Sequence, residues 1–353
     1  MRVLVLTRYG PLGSASRLRF YQYLSLLRRS GHEFEIQAFF TDDYVRRLYA
    51  GERQPAGDLL RAYRDRFAAL RLASRYDLLW VEKEFLPWLP AFAPALLKTP
   101  YAVDFDDAHF HRYDRHRSSL VRLLLGKKVD AVMRRAAVVV AGNEYLADRA
   151  RRAGAGEVVI IPTVVDTLRY PPAAGDGDLA AFRIGWIGAP VTAGYLRSIE
   201  PALRRVLRDG ASLTVIGAES PFGADFPVDA RPWTEKTEAA ELGRLDAGIM
   251  PLPDEPFERG KCGYKLIQYM AAGLPVVASP VGVNAQIVEP GINGFLAETD
   301  DEWVAALETL RRDPALRRRL GSAGRAKVHA EYDLEVTAPM LLAALESAAG
   351  QVR

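Results

Sequence analysis

The stretch ERGKCGYKLIQYMAAGLPVVASPVG, Glu258–Gly282, carries the reading on which the fold turns. Leu266, Ile267, Met270 and Ala271 recur at helical spacing, Gly273 stops the pattern, and an apolar strand starts at Pro275. Just upstream, DAGIMPLPD reads as a strand over Asp246–Pro251. A strand, a loop, a buried helix and another buried strand make one unit of a parallel α/β sheet. Lys261 and Lys265 are four apart, which predicts that both share one face of the helix's first turn. Free N–H groups, the helix macrodipole and two ammonium groups would then converge, and a pyrophosphate suits that place. Two lysines on a solvated face are the plainer alternative.

Working outward, the same alternation covers the chain. Strands are expected at Arg2–Thr7, Phe34–Phe39, Leu78–Val81, Tyr101–Phe105, Ala137–Ala141 and Val158–Ile161. After Pro171–Asp178, PPAAGDGD, which reads as a linker, the pattern restarts. Strands follow at Arg183–Ile187, Ser212–Ile216 and Val276–Ser279, with a helix over Tyr195–Leu207. The expected organisation is a first domain at 1–170, a linker at 171–178 and a second domain at 179–333. A terminal segment, 334–353, is helical over Leu334–Ala348 and crosses back to the first domain. The fold class is α/β: two tandem doubly wound Rossmann-like domains facing across a cleft, with ligands at the carboxyl ends of the strands.

Composition narrows the function. The 353 residues are 49% hydrophobic and 26% charged, an ordinary globular balance. The lone cysteine, Cys262, excludes disulfide scaffolds and multi-cysteine zinc sites and fits a reducing, cytoplasmic setting. No apolar run reaches the ~18 residues of a membrane span, and MRVLVLTRYG reads as a first strand, not a leader. Up to Tyr170 there are 28 Lys+Arg against 19 Asp+Glu, or +9; the remainder of the +3 total is −6. Halves of opposite sign suggest different partners.

The strand-end loops hold the other candidates. Tyr9–Phe20, YGPLGSASRLRF, is either an anion-binding turn, with Gly13 and Arg17 beside a helix start, or a plain strand–helix turn. It lacks the G-x-G-x-x-G dinucleotide pattern. Ile184–Leu196, IGWIGAPVTAGYL, offers backbone at Gly188 and Ala189 for a phosphate, or tight strand–helix packing. Asp104, Asp106 and Asp107 with His109 and His111 allow a divalent metal, a substrate-facing role or helix capping. Metal is the least favoured of these. Arg112–Arg135 holds eight Lys+Arg and two Asp, interleaved with Leu120, Leu123, Leu124, Leu125 and Val129. An anionic membrane surface suits it better than nucleic acid, since stacking aromatics are scarce; a solvated face is the alternative.

Together these segments resemble a known family. GKCGYKLIQYMAAGLPVVASPVG…NGFLA is similar to the nucleotide-diphosphate-sugar site of family-4 retaining glycosyltransferases, which have the GT-B fold. DFDDAHF, AGNEYLAD, IPTVVDT and IGWIGAP stand in the matching order, and TRYGPLGSASRLR resembles the family's first glycine-containing loop. The resemblance implies transfer of a sugar, with retention, from an NDP-sugar to a hydroxyl of a glycan or lipid-linked acceptor. Uracil is the default base, so UDP the default nucleotide, and neither metal nor cofactor is required. It implies a donor site of Gly13, Arg17, Gly188, Ala189, Glu258, Lys261, Lys265, Leu266 and Gln268. It implies an acceptor side of Asp106, Asp107, His109 and Arg19, with Lys261, Asp107 and His109 as catalytic groups. The implied setting is cytoplasmic, peripheral at the inner face of the membrane. The family's paired glutamates fall at Gly260 and Gln268 here, and its arginine and lysine after the second domain's first strand are missing. These departures resemble a branch that carries GKCGYKLxQYMAxGxPVV as a block. They leave two alternatives: a nucleotide-sugar-binding protein without turnover, and a sugar-nucleotide epimerase.

Overall fold

The computed structural model describes residues 1–171 and 182–351. Apart from Pro171, the segment read as a linker lies outside them. The described residues form twelve strands in two six-stranded parallel sheets. The first holds β1 (Arg2–Tyr9), β2 (Glu33–Phe40), β3 (Leu78–Glu82), β4 (Tyr101–Phe105), β5 (Val138–Ala141) and β6 (Val158–Ile160), in the order β2-β1-β3-β4-β5-β6. The second holds β7 (Phe182–Ile187), β8 (Ala211–Ile216), β9 (Asp229–Arg231), β10 (Ala247–Met250), β11 (Val276–Ala278) and β12 (Gly294–Leu296), in the order β12-β11-β10-β7-β8-β9. Every residue of β3, β4, β5 and β10 is buried, which explains their unbroken apolar runs: both faces of a central parallel strand are covered by helices.

Packing divides the chain into two compact units. The first comprises Met1–Thr163, Arg259–Cys262 and Leu334–Arg353; the second comprises Val164–Glu258 and Gly263–Asp333. Its boundary therefore falls at Thr163 rather than Tyr170. The helix Leu334–Gly350 packs on β3, β4 and β5 of the first unit, and Tyr23 and Thr337 share a buried hydrogen bond of 2.8 Å. The four residues Arg259–Cys262 also belong to the first unit, although their chain neighbours on both sides belong to the second.

Each sheet reverses its winding once, between β1 and β3 and between β7 and β10, and such reversals open a crevice at the strands' carboxyl ends. At the second reversal Tyr269 is fully buried. Its hydroxyl accepts from Ile187 N at 2.9 Å and donates to the Ile249 carbonyl at 3.3 Å, tying the ends of β7 and β10 to one helix. Two short strands, β9 and β12, were not expected. The basic stretch Arg112–Arg135 is spread over three short helices, His111–Asp114, Ser119–Leu125 and Lys128–Arg135.

Candidate functional site

In the second unit the loop after β7 meets the helix Tyr264–Ala271. A Cβ placed on Gly188 would lie 2.6 Å from Trp186 Cη2 and 2.8 Å from Lys265 Cε. Only glycine lets the Lys265 stem pass so close to the backbone. The Lys265 ammonium sits 5.2 Å from the Trp186 ring centroid. Lys265 occupies the first turn, which contains no acidic residue. A cation there opposes the macrodipole. Leu266, Ile267, Tyr269, Met270 and Ala271 are buried in the unit's core and hold the helix in place. Beside this loop, Tyr195 donates to Glu258 Oε1 at 2.5 Å, and burial with that carboxylate raises the phenol well above its usual range. Glu238, buried at 4% exposure, accepts from Tyr170 OH and from Trp233 Nε1.

Lys261 stands elsewhere. The helix begins at Tyr264, after Gly263 in the left-handed region at φ 66°, so the expected shared first turn does not exist. Lys261 precedes the turn by three residues and is held in the first unit. Asn143 Nδ2 donates to the carbonyls of Gly260 at 3.0 Å and Lys261 at 3.1 Å. Cys262 donates to the Asp106 carbonyl at 3.1 Å. Burial, then Asp106, pushes the Cys262 thiol up to about 12, which makes it an inert packing residue.

The carboxyl ends of β1, β3 and β4 bear a buried charge cluster. Glu84 takes hydrogen bonds from His109 Nε2 at 2.8 Å and Tyr113 OH at 2.9 Å, and ion pairs with Lys128 at 2.5 Å and Arg8 at 3.1 Å. Burial pushes Glu84 up, but His109, Lys128 and Arg8 outweigh it and hold it below the usual carboxylate range. Lys83, a non-glycine residue at φ 61°, pairs with Asp106 at 2.7 Å and Asp107 at 2.8 Å. A backbone held in that region marks a place that the surroundings over-determine. Lys83 is raised despite burial because of those two carboxylates, and Asp107 is lowered despite burial because of Lys83 and then His109.

Residues 182–313 match the family described as "Glycosyl transferases group 1". Apart from Arg259–Cys262, the match lies within the second unit. Among proteins of named activity, the chain is 27% identical over 227 residues to D-inositol 3-phosphate glycosyltransferase of Geodermatophilus obscurus, covering 55% of this chain and 48% of that protein. It is 30% identical over 226 residues to the Stackebrandtia nassauensis protein of the same name, covering 55% and 49%. The chain thus spans about half the length of these relatives. Among solved structures, sucrose-phosphate synthase from Thermosynechococcus elongatus superposes with TM-score 0.73 at 16% identity, covering 97% of both chains. Anabaena HepE in complex with UDP and glucose gives 0.72 at 17%, covering 98% of this chain and 100% of that one. At such identities these structures show the fold, which is GT-B: two Rossmann-like domains.

Within this fold the expected site residues divide. Gly188, Ala189, Lys265 and Glu258 gather around the loop after β7. Leu266 is fully buried, so its side chain serves the core and not a donor. Gln268, expected at a ribose, is 4% exposed and hydrogen-bonds Tyr170 inside the Glu238 network. Gly260, where the family resemblance expects a glutamate, has no room for one: a Cβ there would lie 2.6 Å from Ala108 Cβ and 2.8 Å from Ala108 N. In the first unit Arg19 is corrected most clearly. It is 2% exposed and binds Asp104 through two bonds, at 2.8 and 3.1 Å, plus the carbonyls of Ile161 and Pro162. It is a structural clamp and does not face an acceptor. Burial, only partly offset by Arg19, raises Asp104 to about 6. His109 is equally buried, and burial lowers its pKa against the pull of Glu84. Its Nε2 is engaged with Glu84. Arg17 donates to the Pro11 carbonyl at 3.2 Å, and Gly13 precedes the helix Ser14–Arg19, too short to be an anion site by itself. Among the described residues no group of three or more His, Cys, Asp or Glu side chains could hold a metal. Sequence reading missed Glu82, Lys83, Glu84 and Lys128. The signal was the charged run VEKEF at the end of an apolar strand.

Proposed function

We propose that this chain is a retaining glycosyltransferase of hexosyl type, taking its sugar from a nucleoside-diphosphate donor, UDP-sugar favoured, to a hydroxyl of a glycan or lipid-linked acceptor. The observation that carries the reading is Lys265, pressed against Gly188 in the first turn of the helix Tyr264–Ala271. When the sugar–phosphate bond breaks, charge builds on the departing diphosphate. Helix N–H groups and Lys265 stabilise it without rearranging, which is the largest single source of rate in many enzymes. HepE's complex with UDP and glucose supports the uridine donor, and the inositol-phosphate glycosyltransferases support a hydroxyl acceptor. Metal independence is favoured because the strand-end carboxylates already have cations: Asp104 has Arg19, and Asp106 and Asp107 have Lys83.

A cytoplasmic protein working at the inner face of a membrane fits the same picture. Leu120, Leu123 and Leu124 are 61%, 81% and 62% exposed on the short helix that also carries Arg122. Two observations favour a second reading, a binding protein without turnover: Gly260 has no room for a side chain and Gln268 is tied to Tyr170. Calorimetry with UDP, GDP and ADP, with and without EDTA, followed by donor hydrolysis, tests both. Tight metal-free binding with NDP release supports the transferase. Binding without release from any sugar nucleotide supports the second reading, and binding only with Mg²⁺ or Mn²⁺ refutes the metal-independent site.

A further inference from the structure

We propose that Trp88 is the anchor by which the first unit sits on an anionic bilayer surface; this rests on the membrane setting proposed above and gives it a contact residue. Among the described residues only Lys83 and Trp88 hold a positive φ without being glycine. Trp88 stands at φ 58° and is 48% exposed. A bulky side chain in that region is costly, and burial does not offset the cost here. The conformation is fixed from below. Trp88 N donates to Tyr113 OH at 3.1 Å, and that hydroxyl donates to Glu84 at 2.9 Å. The indole stands edge-on to the Tyr113 ring, with centroids 5.3 Å apart, and to the His116 ring at 5.8 Å. A buried charged network thus turns one large aromatic ring outward.

Trp88 lies between two sets of exposed apolar side chains. Phe92 and Leu96 follow it in the chain, Leu96 at 76% exposure, and the Phe92 ring stacks on Phe67 at 6.3 Å. On its other side His116 leads to the short helix Ser119–Leu125. His116 Nδ1 accepts from Ser118 N at 3.1 Å, and its carbonyl accepts from Arg122 at 2.6 Å. That helix carries the exposed Leu120, Leu123 and Leu124. The surrounding charge has one sign. Residues 115–129 hold no acid, and Arg115, Arg117, Arg122 and Lys127 among them are exposed; residues 87–99 hold Lys98 and no acid. The acids on either side, Asp114 and Asp130, are both paired with Arg149, at 3.1 and 2.7 Å. Apolar side chains ringed by cations match a leaflet of anionic phospholipid, where an indole favours the headgroup level and cations meet phosphate. A second copy of the chain would set the same cations against one another. A sugar stacked on the ring would meet leucines where its hydroxyls need hydrogen-bond partners.

Trp88→Gly suits φ 58°, keeps the N–H for Tyr113 and removes only the ring. The probe is vesicles of equal parts phosphatidylcholine and phosphatidylglycerol. Cosedimentation is expected to weaken about fivefold in Trp88→Gly, with melting and nucleoside diphosphate binding unchanged. Vesicles of phosphatidylcholine alone should bind the wild type far more weakly, and equal binding would refute the anionic partner. Lipids brominated in the acyl chain quench indoles that reach them. They should quench the wild type and largely spare Trp88→Phe, because Trp80, Trp186 and Trp303 are fully buried. Wild-type cosedimentation of folded Trp88→Gly, or equal quenching in Trp88→Phe, would overturn the anchor and leave the membrane setting standing. A wild-type chain that ignores the vesicles would overturn both. A dimer in sedimentation velocity that Trp88→Gly dissolves would assign the ring to a second copy, and quenching by a soluble glycan without vesicles would assign it to a sugar; either overturns the proposal. If Trp88→Gly does not fold, the quenching comparison with Trp88→Phe decides. Donor hydrolysis enters none of these readings, so the transferase reading stands or falls separately.

Discussion

Gly188→Ala is the substitution whose consequence follows most directly from the geometry. The new methyl would stand 2.6 and 2.8 Å from two ring atoms of Trp186 and 2.8 Å from Lys265 Cε. Apolar carbons rest about 3.5–4.0 Å apart, so close to 1 Å must be found. Trp186 is 1% exposed and locked in the core, whereas Lys265 ends in a flexible stem, so the lysine yields. A charge-assisted hydrogen bond to phosphate contributes about 1.5–3 kcal/mol, and its loss corresponds to roughly ten- to 150-fold in affinity. Overpacking against Trp186 adds a stability cost of about 1–3 kcal/mol, which a melting curve reports separately. The control lies six residues on: a Cβ on Gly194 meets nothing within 4 Å, so Gly194→Ala should bind nucleoside diphosphate as the wild type does. The assay is calorimetric titration of both variants and of Lys265→Ala at a temperature where all are folded. Wild-type affinity in folded Gly188→Ala, with Lys265→Ala impaired, would show that the two residues do not share one phosphate site.

Three further outcomes can be checked. The Cys262 thiol, pushed up to about 12, should react with a disulfide reagent at pH 8 about a thousandfold more slowly in the folded protein than after denaturation; equal rates would contradict its burial beside Asp106. His109 is held neutral by burial, so the unfolded chain takes up a proton first as pH falls through about 6.5, and stability falls with it until the lowered native pKa is reached. Asp104, raised to about 6, works in the opposite sense near the lower end, so the check is the difference: between pH 7.5 and 5.5 the wild-type urea midpoint should fall relative to that of His109→Gln, and a constant difference would mean that His109 does not set it. Replacing Leu120, Leu123 and Leu124 together by serine should leave melting and nucleotide binding unchanged and reduce cosedimentation with anionic vesicles severalfold; undiminished cosedimentation would rule out this helix as the membrane contact.

What the sequence determined by itself was the architecture. Long apolar strands such as Leu78–Val81 and Tyr101–Phe105 announce themselves because both faces of a central parallel strand are buried, and the alternation with helices dictates the sheet. Lys265 stood out for a related reason: a cation in the first turn of an otherwise apolar helix has no use in the core. The edge strands β9 and β12 were not legible. Each is three residues long, and Asp229–Arg231 is largely exposed, so no burial pattern marks it. The fate of individual charges was decided only by tertiary structure. Arg17 and Arg19 look alike in the chain, yet one donates to a neighbouring carbonyl and the other is sealed against Asp104, 85 residues away. Lys261 and Lys265 look like one helical pair, yet Gly263 breaks the turn and Asn143, 118 residues earlier than Lys261, holds the first of them. Hydrophobic burial repeats with the period of the local structure and can be read in a short window. A charge is assigned by whichever partner the fold brings within 3 Å of it, and that distance is not written in any window of the sequence.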